Sequence, residues 1–163
     1  MDKDQLRAYF DDAVNRRDED EAVIYGGDLF NSGDMIHAIL GFKKLQREKP
    51  EQYIHSALMY VSLTYRLSKV CRQNDGWMWE ANLKETEDAA TVANMYDHPK
   101  FDEFWDLLRH EQICWTIIAA EKSSEPEKTN YRRTAKSLMD NTEIRHQGDW
   151  FMDYYRFFAA HGF

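Results

Sequence analysis

The chain has 163 residues, 43% hydrophobic, 31% charged and 14% aromatic, with only seven Gly and three Pro. That length fits about one domain of roughly 100–200 residues, and so many aromatics argue against disorder. A net charge of −8 and a pI near 5.2 argue against generic binding to nucleic acid or to an anionic membrane.

Scarce Gly and Pro with abundant Ala, Leu, Met, Glu and Lys favour helices over a turn-rich β fold. Residues 2–17 set Leu6, Phe10, Ala13 and Val14 on one helical face, with Asp2 and Gln5 spaced as a capping box. A second helix is expected from Asp18 to about Asn31, with Ala22, Tyr25, Leu29 and Phe30 inward and Gly33 as its stop. Asp34 is expected to cap a third helix carrying Met35, Ala38, Ile39, Phe42 and Leu45. Pro50 is placed in the first turn of a fourth, which runs to about Gln73 and buries Ile54, Ala57, Leu58, Val61, Tyr65 and Leu67. Residues 83–96 read as a fifth helix. Pro99 to Lys122 reads as a sixth, apolar nearly all round from Ile113 to Ala120 and therefore central. Pro126 opens a seventh with Tyr131, Ala135, Leu138 and Met139. Asp140 and Glu143 resemble a cap for a last segment, Ile144 to Ala160, which Gly148 divides. The expected fold is all-α, one domain spanning 1–163, with seven to eight helices packed as antiparallel hairpins.

Residues 19–52 carry Gly26, the Gly33-Asp34 turn, Ala38, Phe42 and Pro50 at the spacing of a helical pair. This stretch resembles a single tetratricopeptide repeat, a 34-residue helix pair. Tyr25 and Leu29 exchange the usual leucine and aromatic, and no second copy follows. The resemblance implies helix-pair packing and a concave face for peptide or protein binding.

Met1 to Glu21 is charged throughout and has no apolar signal-like core. No window approaches the roughly 20 apolar residues of a membrane span. Cys71 and Cys114 stand outside any CxxC or Cys/His metal pattern and read as reduced thiols, with a single disulfide as the alternative. A cytoplasmic location is expected.

Charge is blocked along the chain: −5 over residues 1–32, +4 over 34–73, −7 over 74–106 and 0 over 107–163. The basic block, Lys43 to Lys49 and Arg66 to Arg72, suits helix C-termini, whose dipole cations offset; its other reading is a phosphate or acidic-peptide site. The acidic runs suit a basic protein partner, because complementary charge steers association.

No Walker loop, GxGxxG, GxSxG, HExxH or EF-hand loop is present, and no cofactor is expected. Glu143 and His146 form one ExxH, where a carboxylate-bridged di-metal site uses two. Arg156 and His161 have the spacing of the Arg-x4–6-His signature of helical HEPN-type ribonucleases, which this segment resembles, although Phe157 replaces the polar residue that follows the Arg. The aromatics gather at Trp77–Trp79 and Trp150–Phe158, and interfaces favour such anchors. The sequence therefore reads as a non-catalytic interaction module: adaptor, chaperone or immunity-like stoichiometric inhibitor. Its contact residues would be Trp77, Trp79, Glu85, Glu87, Asp88, Asp102, Glu103, Tyr154 and Tyr155. Its partner would be another protein with a basic surface, or a second copy. The alternatives are a ribonuclease or metal-dependent hydrolase using Arg156/His161 or Glu143/His146, and an acidic DNA mimic.

Overall fold

A computed structural model describes residues 1–145 and 148–163. Among them the chain forms eight helices and no strand: α1 (Lys3–Asn15), α2 (Glu19–Asn31), α3 (Met35–Glu48), α4 (Ile54–Gln73), α5 (Trp79–Ala93), α6 (Pro99–Lys122), α7 (Glu127–Asn141) and α8 (Trp150–Ala160). No helix among the described residues is long and apolar enough to cross a membrane. The chain divides into two compact units, 1–67 and 68–163, and the division falls inside α4.

In the first unit the expected starts hold for α1 and α2. Asp2 accepts from the Gln5 amide at 2.8 Å while Gln5 accepts from the Asp2 amide at 3.0 Å, which satisfies two donors a helix start leaves open. Asp18 caps α2 at 3.2 Å through the Glu21 amide. Gly33, with φ 103°, ends that helix in the left-handed conformation that side chains resist. Phe10 of α1 is fully buried and meets Phe42 of α3 edge-to-face at 5.2 Å. A Cβ at Gly26 would run into both rings, and a Cβ at Gly41 into Phe10. These two glycines are what let α1, α2 and α3 close on one another.

Three expectations are corrected here. Asp34 precedes α3 but makes no capping bond; its carboxylate is taken by Arg7 at 2.9 Å. Pro50 lies in a turn and α4 begins at Ile54, where Glu19 of α2 accepts from the Ser56 amide at 2.9 Å. Tyr53 is buried just before α4, whose inward face follows Ser56, Ala57, Tyr60, Val61, Leu63 and Thr64 in this unit, while Ile54 is 37% exposed.

The second unit is built on α6, which packs against α5, α7 and α8. Every residue from His110 to Ala120 is buried, in keeping with a central helix. His98 caps its start by accepting from the Lys100 amide at 3.1 Å, with Pro99 in the first turn. The helix after residue 76 begins at Trp79, earlier than the expected 83. The expected last segment from Ile144 is also corrected: α7 continues to Asn141, Asp140 pairs with Lys136 in its last turn, and α8 starts only at Trp150.

Candidate functional site

Trp77, an exposed aromatic of the second unit, stands on a turn of unusual backbone. Asp75, Gly76 and Met78 all have positive φ, at 60°, 70° and 57°. A non-glycine residue in this left-handed region costs roughly 1–2 kcal/mol, so the turn persists because its surroundings fix it. Two contacts do so. Gly76 lies so close to α6 that a Cβ would stand 3.1 Å from Ile118. Asn82, buried one turn inside α5, donates to the carbonyls of Met78 at 3.1 Å and Trp77 at 3.4 Å. The Trp77 ring is left 58% exposed.

From this turn α5 presents an exposed line of Glu80, Lys84, Glu87 and Thr91, which leads to Met95, itself 56% exposed. Spacings of three and four residues put these positions on one helical face. Lys84 pairs with Asp88 at 3.2 Å, leaving Glu80 and Glu87 to give the face its sign.

The other expected contact residues divide. Glu85 and Asp88 are half-buried on α5. Trp79 is half-buried and meets Tyr131 of α7 edge-on at 6.3 Å, so it packs rather than projects. Asp102 and Glu103 are half-buried at the start of α6, and Arg145 stands 3.6 Å from Asp102 while donating to Asn94 at 2.6 Å. Tyr155 is 47% exposed on α8. Tyr154 is 4% exposed, and its hydroxyl donates to Glu111. It belongs to the interior and leaves the set of surface contacts.

Of the two candidate catalytic pairs, Arg156/His161 is not assembled. Arg156 is exposed and pairs with Asp153 at 3.4 Å, whereas His161 bonds Glu121 of α6 and lies against Phe157 at 4.2 Å. Glu143 is exposed between α7 and α8, and His146 lies outside the described residues. No group of three or more His, Cys, Asp or Glu residues able to hold a metal occurs among the described residues. Cys71 and Cys114 are free and buried, and burial raises both thiol pKa values above the usual range, which holds them protonated and unreactive.

Sequence reading missed a buried polar network. Glu111 is fully buried and accepts from Ser68 at 2.5 Å, from Arg72 at 3.1 and 2.8 Å, and from Tyr154. Trp115 donates to the Ser68 hydroxyl at 2.7 Å. Burial alone would lower the Arg72 pKa, but the Glu111 carboxylate outweighs it and the net shift is upward. Next to Glu111, His110 donates through Nδ1 to the Asp106 carbonyl at 2.7 Å, and Trp150, Tyr154, Tyr155 and Phe158 surround its ring at 5.0 to 6.4 Å. Burial lowers the His110 pKa, and the Asp106 carbonyl and the Asp106 and Glu111 charges offset only part of this. The signal in the sequence was Asp106, His110, Glu111 and Gln112 interrupting an otherwise apolar helix. Comparison of the chain with protein-family models, with curated proteins and with solved structures finds no significant match.

Proposed function

We propose that this chain is a non-catalytic protein–protein interaction module of the cytoplasm, acting as an adaptor, chaperone or stoichiometric inhibitor. The observation that carries the reading is the Trp77 turn: a large aromatic in solvent on a backbone that the close approach of Gly76 to Ile118 and the Asn82 hydrogen bonds hold in place. Rigid, exposed Trp side chains are favoured anchors because they bury much area at little entropic loss. Glu80 and Glu87 beside it favour a partner with a basic surface. The tetratricopeptide-like pair, Gly26 against Phe42, adds a second helical hairpin suited to protein contacts.

The test places a photoreactive residue at position 77 and isolates crosslinked species from the source cell. One stoichiometric protein partner is expected. Trp77→Ala should weaken its binding roughly thirty-fold or more, as loss of a hot spot does. Turnover of RNA or of a metal-dependent substrate by the pure protein would overturn the reading.

A further inference from the structure

α7 has one buried residue, Ala135. Its outer side carries Arg132, Arg133 and Lys136 within about one turn. All three line an open groove of ≈ 880 Å³, as do Gly162 and Phe163. Arg132 lies over the Phe163 ring at 4.5 Å, and Gly162, at φ 86°, turns the backbone beside it. Asp140 has the one acidic side chain among the lining residues, and it pairs with Lys136 at 3.5 Å.

This concentration of like charge is unfavourable for the helix itself. Arg132 and Lys136 stand at i,i+4 and Arg133 and Lys136 at i,i+3, where like charges repel. Little burial compensates them, and the chain as a whole carries a net charge of −8. The groove holds three cationic side chains and one acidic one, and a concave surface with an excess of one sign concentrates counter-ions of the other. The volume lies in the range of small-molecule sites, and Met139 and Phe163 add apolar contact beside the cations.

We propose that this groove binds a small, multiply charged phosphate compound. Arg132 and Arg133 supply the planar, paired N–H donors that match phosphate oxygens, and Lys136 adds a mobile point charge. A bound anion would offset the repulsion between the three cations. The site is separate from the Trp77 surface, so each stands or falls alone.

The test titrates the whole chain with sodium tripolyphosphate at low salt, by calorimetry and by amide chemical-shift mapping. Saturable binding is expected, with shifts on residues 129–141 and 162–163. The double variant Arg132→Gln/Arg133→Gln should bind roughly tenfold more weakly or worse, from the loss of charge-assisted hydrogen bonds. Arg132→Lys/Arg133→Lys, which keeps the charge and loses the fork, should fall between. Citrate, a carboxylate polyanion, should bind more weakly than tripolyphosphate. Absence of saturable binding, shifts confined to other parts of the chain, unchanged affinity in the Gln variant, or citrate binding as tightly would each overturn the proposal. Shift mapping on the unmodified chain keeps it falsifiable if a variant fails to fold.

Discussion

The Tyr154 hydroxyl donates to Oε2 of Glu111, the same oxygen that Arg72 reaches at 2.8 Å. One carboxylate therefore joins α4, α6 and α8 inside the second unit. A buried ion pair adds little net stability compared with apolar packing, but removing one member leaves the other charged and unpaired. Tyr154→Phe keeps the ring and deletes the hydroxyl. It should reduce unfolding free energy in urea by about 1.5–3 kcal/mol, the value of a hydrogen bond to a charged group. Glu111→Ala strands Arg72 in the interior and should cost about 3–5 kcal/mol. Wild-type stability in both variants would mean that water reaches the pair.

His110 gives this unit a pH dependence of definite sign. Its folded-state pKa lies below the ordinary 6.5 because burial disfavours the imidazolium. Between the folded and unfolded values the unfolded chain binds more protons, so stability rises with pH there. The contribution is fully present above about pH 6.5 and is lost as pH falls towards the folded value. Thermal unfolding followed from pH 7.5 to 5 should show a decline in stability that His110→Phe reduces. An identical pH profile in the variant would assign the decline to the carboxylates.

How far the sequence spoke depends on which force placed each element. Phe10, Phe42 and the run Ile113–Ala120 were legible because large apolar side chains repeat at helical spacing, and burial follows from that pattern. The inner face of α4 was legible at Ala57, Val61 and Leu67 but missed where polar residues join it: Ser56 and Thr64 turn inward while Ile54 faces out. Periodicity counts large apolar groups and overlooks a face shaped for close approach. Glu111 lies just ahead of the apolar run and gives no sequence sign of its burial, because a lone carboxylate there has no local partner. Its partners, Ser68, Arg72 and Tyr154, lie about 40 residues away on either side. The Trp77 turn was half legible: Asn-Asp-Gly announced a turn, but the role of Asn82 in holding it is a tertiary effect.

Gly26 and Gly27 are neighbours in α2 and should respond oppositely to alanine. A Cβ at Gly26 enters the Phe42 ring and comes within 2.7 Å of Phe10, in a core with no spare volume. Gly26→Ala should cost about 1–3 kcal/mol through overpacking. A Cβ at Gly27 meets only the Met59 methyl at 3.9 Å, an ordinary contact. There, the lower entropy of the unfolded chain dominates, and Gly27→Ala should add about 0.5–1 kcal/mol. Denaturant midpoints of the two variants check the pair, and equal shifts would refute the packing around Phe10.

The Trp77 turn separates stability from recognition. Trp77 is largely in solvent, so Trp77→Ala should change unfolding free energy by less than about 0.5 kcal/mol, as at other surface positions. Asn82 is buried and binds two turn carbonyls. Asn82→Ala should cost about 1–3 kcal/mol by removing the side-chain donor to the Trp77 carbonyl, while the Met78 carbonyl keeps the backbone amide of residue 82 at 3.0 Å, and should also loosen the presentation of Trp77. Met78 holds φ 57° without being glycine. Met78→Gly should therefore relieve roughly 1 kcal/mol of backbone strain, less whatever packing the half-buried side chain provides. Partner affinity should fall with Trp77→Ala and Asn82→Ala and hold with Met78→Gly. The reverse order would mean that the ring is incidental and that the acidic face of α5 binds without it.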